Sequence, residues 1–194
     1  MTKDEFIQRF QMQALPASAH NFRYPHKLKS AAVLIPIVHN EHQLDVLLTK
    51  RASHLTHHPG QISFPGGKVE SYDYDMIATA LRETQEEIGL QSNSIDVIGQ
   101  LKPYQTISGY EITPIVAIVQ SNKQYKIDKN EVAEVFQVPL SHFLQRQYHI
   151  QVPFYHQGRH HKVHFMPYQH YNIWGATAAM LHDLSVLINS PLPR

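Results

Sequence analysis

A chain of 194 residues, 42% hydrophobic and 17% charged, is long enough for one folded domain with a sizeable core. A net charge of +1 with histidine neutral supplies no field that would draw it to nucleic acid or to an anionic membrane surface. The absence of cysteine excludes disulfides, thiolate nucleophiles and thiolate metal sites; it leaves carboxylates and imidazoles as metal ligands and fits a reducing cytoplasm.

In chain order, Met1-Thr2-Lys3-Asp4-Glu5-Phe6-Ile7 is charged and has no apolar core region, so it does not read as a signal peptide. Residues 1–27 mix polar, aromatic and proline residues and are expected to form an N-terminal arm, a short helix followed by irregular chain. The domain proper is expected over 28–190. Ala31 to Val38 and Leu44 to Thr49 are apolar runs joined by the turn-like His39-Asn40-Glu41-His42, which predicts a hairpin. Gln61-Ile62-Ser63-Phe64 alternates as a strand should and is broken by Pro65-Gly66-Gly67. Residues 75–89 have helical periodicity, with Ile77, Leu81, Thr84 and Ile88 on one stripe and Gly89 as the stop. Strand-like segments follow at 95–101, 112–119, 132–138, 148–154 and 162–166. A last helix spans 173–188, with Ala176, Ala179, Met180, Leu184 and Leu187 near one face and Trp174 expected in the core. Strands in the majority, with one helix embedded early and one at the end, predict an α+β fold with a sheet between helices. Nowhere do some twenty apolar residues run together, so no membrane span is expected. The 15 histidines, including His57-His58 and His160-His161 with His164, form no i, i+4 pair beside a carboxylate and read as scattered surface or strand residues.

The predicted helix over 75–89 carries the chemistry. At 100° per residue its apolar stripe spans roughly 60°, while Glu83, Glu86 and Glu87 cluster within roughly 100° on another side. Like charges at i, i+3 and i, i+4 destabilise a helix, and the local compensation is Arg82, which is i, i+4 to Glu86. A cation bound across the three carboxylates would turn that repulsion into coordination. An acidic helix alone reads as a solvated face. A strand, a Gly-Gly loop able to turn a carbonyl towards a metal or phosphate, a spacer and then this helix form a far more specific pattern.

Gly67 to Leu90 resembles the box of the Nudix family: Gly, a spacer, Glu, a spacer, then Arg-Glu-aliphatic-x-Glu-Glu-x-Gly-aliphatic. Two departures stand out. The Gly67–Arg82 spacing is one residue longer than usual, and no Glu fills the early acidic position, for which Asp73 or Asp75 is the substitute. The aliphatic position is Thr84, whose methyl can still face the core. Leu47-Leu48-Thr49-Lys50-Arg51-Ala52 with Gly60-Gln61-Ile62-Ser63-Phe64-Pro65-Gly66-Gly67 is similar to the signature of the coenzyme A pyrophosphatase branch, bacterial type, which shares the longer spacer. The likeness continues in Ser108-Gly109-Tyr110 with Thr113-Pro114, in Asn130 to Phe136 with Pro139-Leu140, and in Ile173 to Ala178, and so covers residues 28–188. Where the branch usually has arginine, this chain has Thr56.

The resemblance implies a Nudix-type α/β/α sandwich with a mixed β-sheet between helices. It implies metal-dependent hydrolysis of the diphosphate of coenzyme A or its acyl derivatives, giving (acyl-)phosphopantetheine and adenosine 3′,5′-bisphosphate, with Mg²⁺ or Mn²⁺ on hard oxygen ligands. Glu83, Glu86 and Glu87 are the implied metal ligands, joined by the carbonyl of Gly66 or Gly67. Arg82 orients a carboxylate, and either Glu131 or Glu83 is the general base. Lys50 and Arg51 are candidates for the 3′-phosphate or the diphosphate, and Tyr110 for stacking on adenine. The implied partner is a small-molecule nucleotide diphosphate, with neither nucleic acid nor membrane; a homodimer is compatible with the sequence. Two alternatives stay open: a Nudix hydrolase for ADP-ribose or a dinucleotide, which Thr56 favours, and a non-catalytic nucleotide-binding module, against which the complete glutamate set argues.

Overall fold

The computed structural model describes residues 1–15, 27–41, 43–121, 124–156 and 159–192, with the side chains of residues 156, 159 and 160 left aside. Residues 16–26 of the arm expected over 1–27, His42 of the predicted turn and the His160 side chain lie outside the described residues.

The longest apolar run becomes β1 (Lys29–His39), which turns into β2 (Leu44–Arg51) as the predicted antiparallel hairpin, with Ile37 opposite Val46 and His39 opposite Leu44. The same β1 pairs in parallel along its whole length with β7 (Tyr110–Gln120). That parallel pair is the centre of a mixed sheet ordered β3-β2-β1-β7-β5, where β3 is Ile62–Ser63 and β5 is Ile95–Gln100. Short β4 (Gly66–Lys68) pairs with β1, β6 (Tyr104–Gln105) with β7, and β8 (Val132–Pro139) with β2. The Gly-Gly segment expected to end a strand therefore begins another one. Gly66 adopts φ +153°, and a Cβ there would fall on the backbone of Ala32 and Val33. Only glycine lets β4 lie against β1 in this way.

Strand alternation sorts the core into two layers. On one face Ala32 and Leu34 of β1 and Ile115 and Ala117 of β7 pack against α2 (Met76–Ile88). On the other, Ile35, Ile37, Val116 and Ile118 join α1 (Lys3–Met12), α3 (Leu140–Leu144) and α4 (Gly175–Asn189) in the largest cluster. The α+β sandwich expected from the sequence is the observed one. Helix α1 is part of that core. Phe6 and Phe10 are buried, Phe10 lies over Gly99, and Arg9 donates to the Ile188 carbonyl at the end of α4 (3.2 Å).

The strands predicted at 148–154 and 162–166 form as β9 (Ile150–His156) and β10 (Arg159–Phe165), in a separate two-stranded sheet. One expectation is corrected. Trp174 is not a core residue. It is the extended N-cap of α4, so its side chain leaves the helix before the buried face begins; it is 40% exposed and stacked on Phe165.

A histidine cluster fastens β10 and the turn after α3 to α4. His164 is buried with its ring 5.0 Å from that of His182, and the His149 Nε2–H donates to the Phe143 carbonyl at 2.6 Å. A carbonyl can only accept, which leaves His149 Nδ1 to accept from His182 Nδ1–H at 3.1 Å. Burial, followed by His149, Arg146 and Lys162, pulls the His182 pKa down. Burial and then His149 do the same to His142, against the Pro167 carbonyl that it bonds. Both rings are neutral in the fold where an unfolded histidine, near 6.5, begins to charge. Below that value the unfolded chain binds more protons, so this stabilisation is complete above about 6.5 and is lost as pH falls. The thermal midpoint is expected to drop from pH 7 to pH 5, and His182→Gln to flatten the drop. Equal slopes for variant and parent would show that the cluster contributes none of it.

Candidate active site

Helix α2 begins where Asp75, in extended conformation, accepts from Ala78 N–H (2.7 Å), and ends at Gly89 in the left-handed region (φ 71°). Thr84 fills its aliphatic position as a buried residue, its hydroxyl returned to the Ala80 carbonyl at 2.6 Å. This leaves the polar side of α2 facing β4 and the end of β2.

Arg82 organises that side. Its Nε–H and one Nη2–H donate to Asp73 (3.0 and 2.9 Å), the other Nη2–H donates to the Lys68 carbonyl (3.1 Å), and Nη1 donates to Glu83 (2.9 Å) and Glu86 (3.0 Å). All five guanidinium protons are thereby engaged, so Arg82 is a positioning residue with none left for a substrate. Asp73 also accepts from the Thr79 hydroxyl and the Glu70 amide (both 2.9 Å). The Arg82 hydrogen bonds above all hold its carboxyl far below the usual carboxylate range. Of the two aspartates considered for the early acidic position, Asp73 therefore pairs with Arg82, and Asp75 caps the helix.

The carboxylates differ in setting. Glu86 is 58% exposed along its side chain, whereas Glu87 is buried. Burial, then the charges of Glu131 and Glu83, push the Glu87 pKa up to about 8, against Arg51 and a hydrogen bond from the Gly66 amide. Burial first, offset by Arg82, also raises Glu83. Gly67 makes room for Glu83, because a methyl group on its Cα would overlap the Glu83 carboxylate. Glu131, 44 positions from Glu87 in sequence, is brought to the same place by its loop. The Asp128 amide donates to the Glu87 carbonyl at the end of α2 (2.9 Å), and the Ala52 amide donates to the Glu131 carbonyl (2.9 Å).

Lys50 and Arg51 are consecutive on β2 and so point to opposite faces. Arg51 is on the α2 face, close enough to stabilise the charged form of Glu87, and its Nε is buried without a hydrogen-bond partner among the described residues. Lys50 is on the α4 face, lining a cavity with Trp174. Tyr110 opens β7, bonded to Thr106 and lying under the Lys29 ammonium (6.0 Å), at the start of β1, two residues before the pairing of Ala31 with Lys68. The structure thus brings Glu83, Glu86, Glu87, Gly67, Glu131 and Arg51 into one region and sets Lys50 and Tyr110 apart from it.

Residues 28–171 match the family model described as the NUDIX domain. The chain belongs to the Nudix family. It is similar to proteins described as uncharacterized Nudix hydrolase NudL, from Enterobacter sp. (strain 638) and from Salmonella typhimurium, at 40% identity over 188 residues, covering 97% of this chain and 95% of each relative. Among solved structures, the Nudix hydrolase RenU of M. smegmatis has TM-score 0.51 at 22% identity, over 64% of this chain and 78% of that one. A MutT/nudix family protein of Enterococcus faecalis has TM-score 0.50 at 17% identity, over 97% and 73%. As a Nudix hydrolase, the protein acts on the phosphorus-containing anhydride of nucleoside diphosphate derivatives, in a family that generally uses divalent metal ions.

The residues present fit such an ion. Several carboxylates lie near one another, Glu87 is ionised only against its surroundings, and glycine has cleared the space beside Glu83. Among the described residues no three acidic or imidazole groups are close enough to grip one ion unaided. A hard cation such as Mg²⁺ keeps several waters, so a carboxylate can serve it through a bound water as well as directly. Gly67→Ala is expected to weaken Mn²⁺ binding, followed by calorimetry, by about tenfold, as displacement of a ligand's support commonly does. The fold should survive, since Gly67 needs no left-handed backbone. Unchanged affinity would rule out a ligand role for Glu83 in this position.

Proposed function

We propose that this Nudix hydrolase cleaves the diphosphate of coenzyme A or its acyl derivatives, releasing (acyl-)phosphopantetheine and adenosine 3′,5′-bisphosphate, with Mg²⁺ or Mn²⁺ held by Glu83, Glu86, Glu87 and the Gly67 carbonyl. The observation that carries this reading is Arg51, which ends β2 within the segment resembling the coenzyme A branch. Its buried Nε has no partner among the described residues and lies beside the carboxylates, the place for an oxygen of the diphosphate. When bound, the divalent ion neutralises phosphate oxygens as charge develops on them.

The chain's own residues do the rest. Arg82 fixes Glu83 and Glu86 in orientation, and the Gly66 amide fixes Glu87. Of the two candidate bases, Glu83 is committed to Arg82, whereas Glu131 is on an exposed residue and has no ion pair among the described residues. We therefore assign Glu131 the proton of the attacking water. Water oxygen bonds to one phosphorus, the P–O bond to the bridging oxygen breaks, and two phosphate monoesters leave. The lack of cysteine supports a cytoplasmic setting. The second reading, hydrolysis of ADP-ribose or a dinucleotide, is favoured by Thr56, an exposed residue where the branch tends to carry arginine.

Glu87→Gln is expected to lower turnover at least tenfold, through lost charge stabilisation in the transition state. Full activity in that variant, or in excess chelator, would refute the metal role. Coenzyme A is expected to show a higher kcat/KM than ADP-ribose in a panel with mass analysis of products. The reverse order would refute the narrower assignment and leave metal-dependent hydrolysis standing.

A further inference from the structure

The cavity on the far side of β2 from the carboxylates has a volume near 350 Å³ and is lined by Lys50, the Pro59–Gln61 turn, His170, Asn172 and Trp174. That size holds a nucleoside. Its walls are built and held. Phe165 pairs with Trp174 and Tyr168 with Tyr171 in a tight hairpin closed by reciprocal backbone hydrogen bonds of 3.0 and 2.9 Å, with Gln169 in the left-handed region at φ 51°. Tyr171 is pinned by stacking on Phe136 at 3.7 Å and by donating its hydroxyl to Glu134. The indole of Trp174 stacks on Phe165, yet 40% of the residue stays exposed, which leaves aromatic surface for a ligand.

Lys50 supplies the second requirement. Its register partner Glu134 accepts from Tyr171, and Lys50 itself makes no ion pair among the described residues. With Glu134 turned to the Tyr171 hydroxyl, a lysine ammonium that makes no ion pair among the described residues can take an anionic ligand in the cavity wall. The scissile diphosphate is already allotted to Arg51 on the opposite face, so the anion at Lys50 is a different one. Lys50 and Arg51 are consecutive at the end of β2, so a single molecule touching both would pass round that end beside the Pro59–Gln61 turn.

We propose that this cavity is the nucleoside subsite, with the aromatic base laid on Trp174 and a phosphate ester on the ribose held by Lys50. The assignment rests on the diphosphatase reading above and adds to it a selectivity for nucleosides that carry a separate monophosphate. It moves base recognition from Tyr110, where the sequence suggested it, to Trp174.

Trp174 is the only tryptophan of the chain, so intrinsic fluorescence reports on this cavity directly. The full-length protein, without metal, is titrated with adenosine 3′,5′-bisphosphate and with AMP. Both are expected to change Trp174 emission saturably, with the bisphosphate about tenfold tighter, as expected for one charge-assisted contact. Lys50→Met is expected to erase the tenfold gap and Lys50→Arg to keep it, with calorimetry following ligand binding to Trp174→Leu, where a weakening of both ligands is expected. No saturable response, a gap that persists in Lys50→Met, or unweakened binding to Trp174→Leu would overturn the proposal. Preferred hydrolysis of ADP-ribose with the gap intact would refute the coenzyme A reading and uphold the subsite. Hydrolysis of coenzyme A without a Trp174 response would do the opposite.

Discussion

At Gly67 the backbone of β4 runs so close beneath α2 that a single methyl group would occupy the space of the Glu83 carboxylate, and at Gly66 it runs so close to β1 that a methyl group would meet main chain. The pair of close approaches has no tolerance, and the rest of the site is arranged round it. With the strand pressed against the helix, the Gly66 amide reaches Glu87 and the Lys68 carbonyl reaches Arg82, while Glu87 is withdrawn from bulk water. A side chain at Gly66 would push β4 from β1, whereas one at Gly67 would displace the Glu83 carboxylate and leave the backbone in place.

That geometry concentrates negative charge in a partly dry place, and the molecule answers it asymmetrically. Arg82 uses its full set of donors on Asp73, Glu83, Glu86 and a carbonyl, which stiffens the edge of the cluster. Glu87 receives no comparable partner; one amide and the field of Arg51 are set against burial and two neighbouring carboxylates. The structure thus leaves an unbalanced carboxylate near a guanidinium nitrogen with no hydrogen-bond partner among the described residues, complementary respectively to a cation and to an anion. On the reading we propose, a metal–diphosphate complex would bring both at once and satisfy each group.

The alternation of β2 divides labour between the two faces of the sheet. Arg51 lies on the α2 side, near the carboxylates, and Lys50 on the α4 side, where the hairpin from Phe165 to Trp174 holds an aromatic wall. Adjacent residues at one strand end thereby reach two chemically different environments, the basis on which we propose catalysis at one and recognition at the other.

Much of this was legible in the chain itself. The apolar stripe, the Gly89 stop and the spacing of Glu83, Glu86 and Glu87 set the helix and its acidic side, because helical periodicity is local. The β1–β2 hairpin followed from two apolar runs and a polar turn for the same reason. Other features depend on contacts between residues far apart in sequence. The parallel pairing of β1 with β7, the strand nature of Gly66–Lys68 and the separation of β9–β10 from the main sheet are settled by which partner a backbone finds. Local pattern could nominate Asp73 and Asp75 but not divide their tasks. Only the fold of the loop shows one in the grip of Arg82 and the other capping α2. It also took packing to carry Glu131 to Glu87, to part Lys50 from Arg51, and to turn Trp174 from an assumed core residue into the open wall of a cavity. Residue types and local spacing determined the chemistry available to this protein; tertiary contacts decided which of those groups share a space, since proximity across long stretches of chain is a property of the packed core alone.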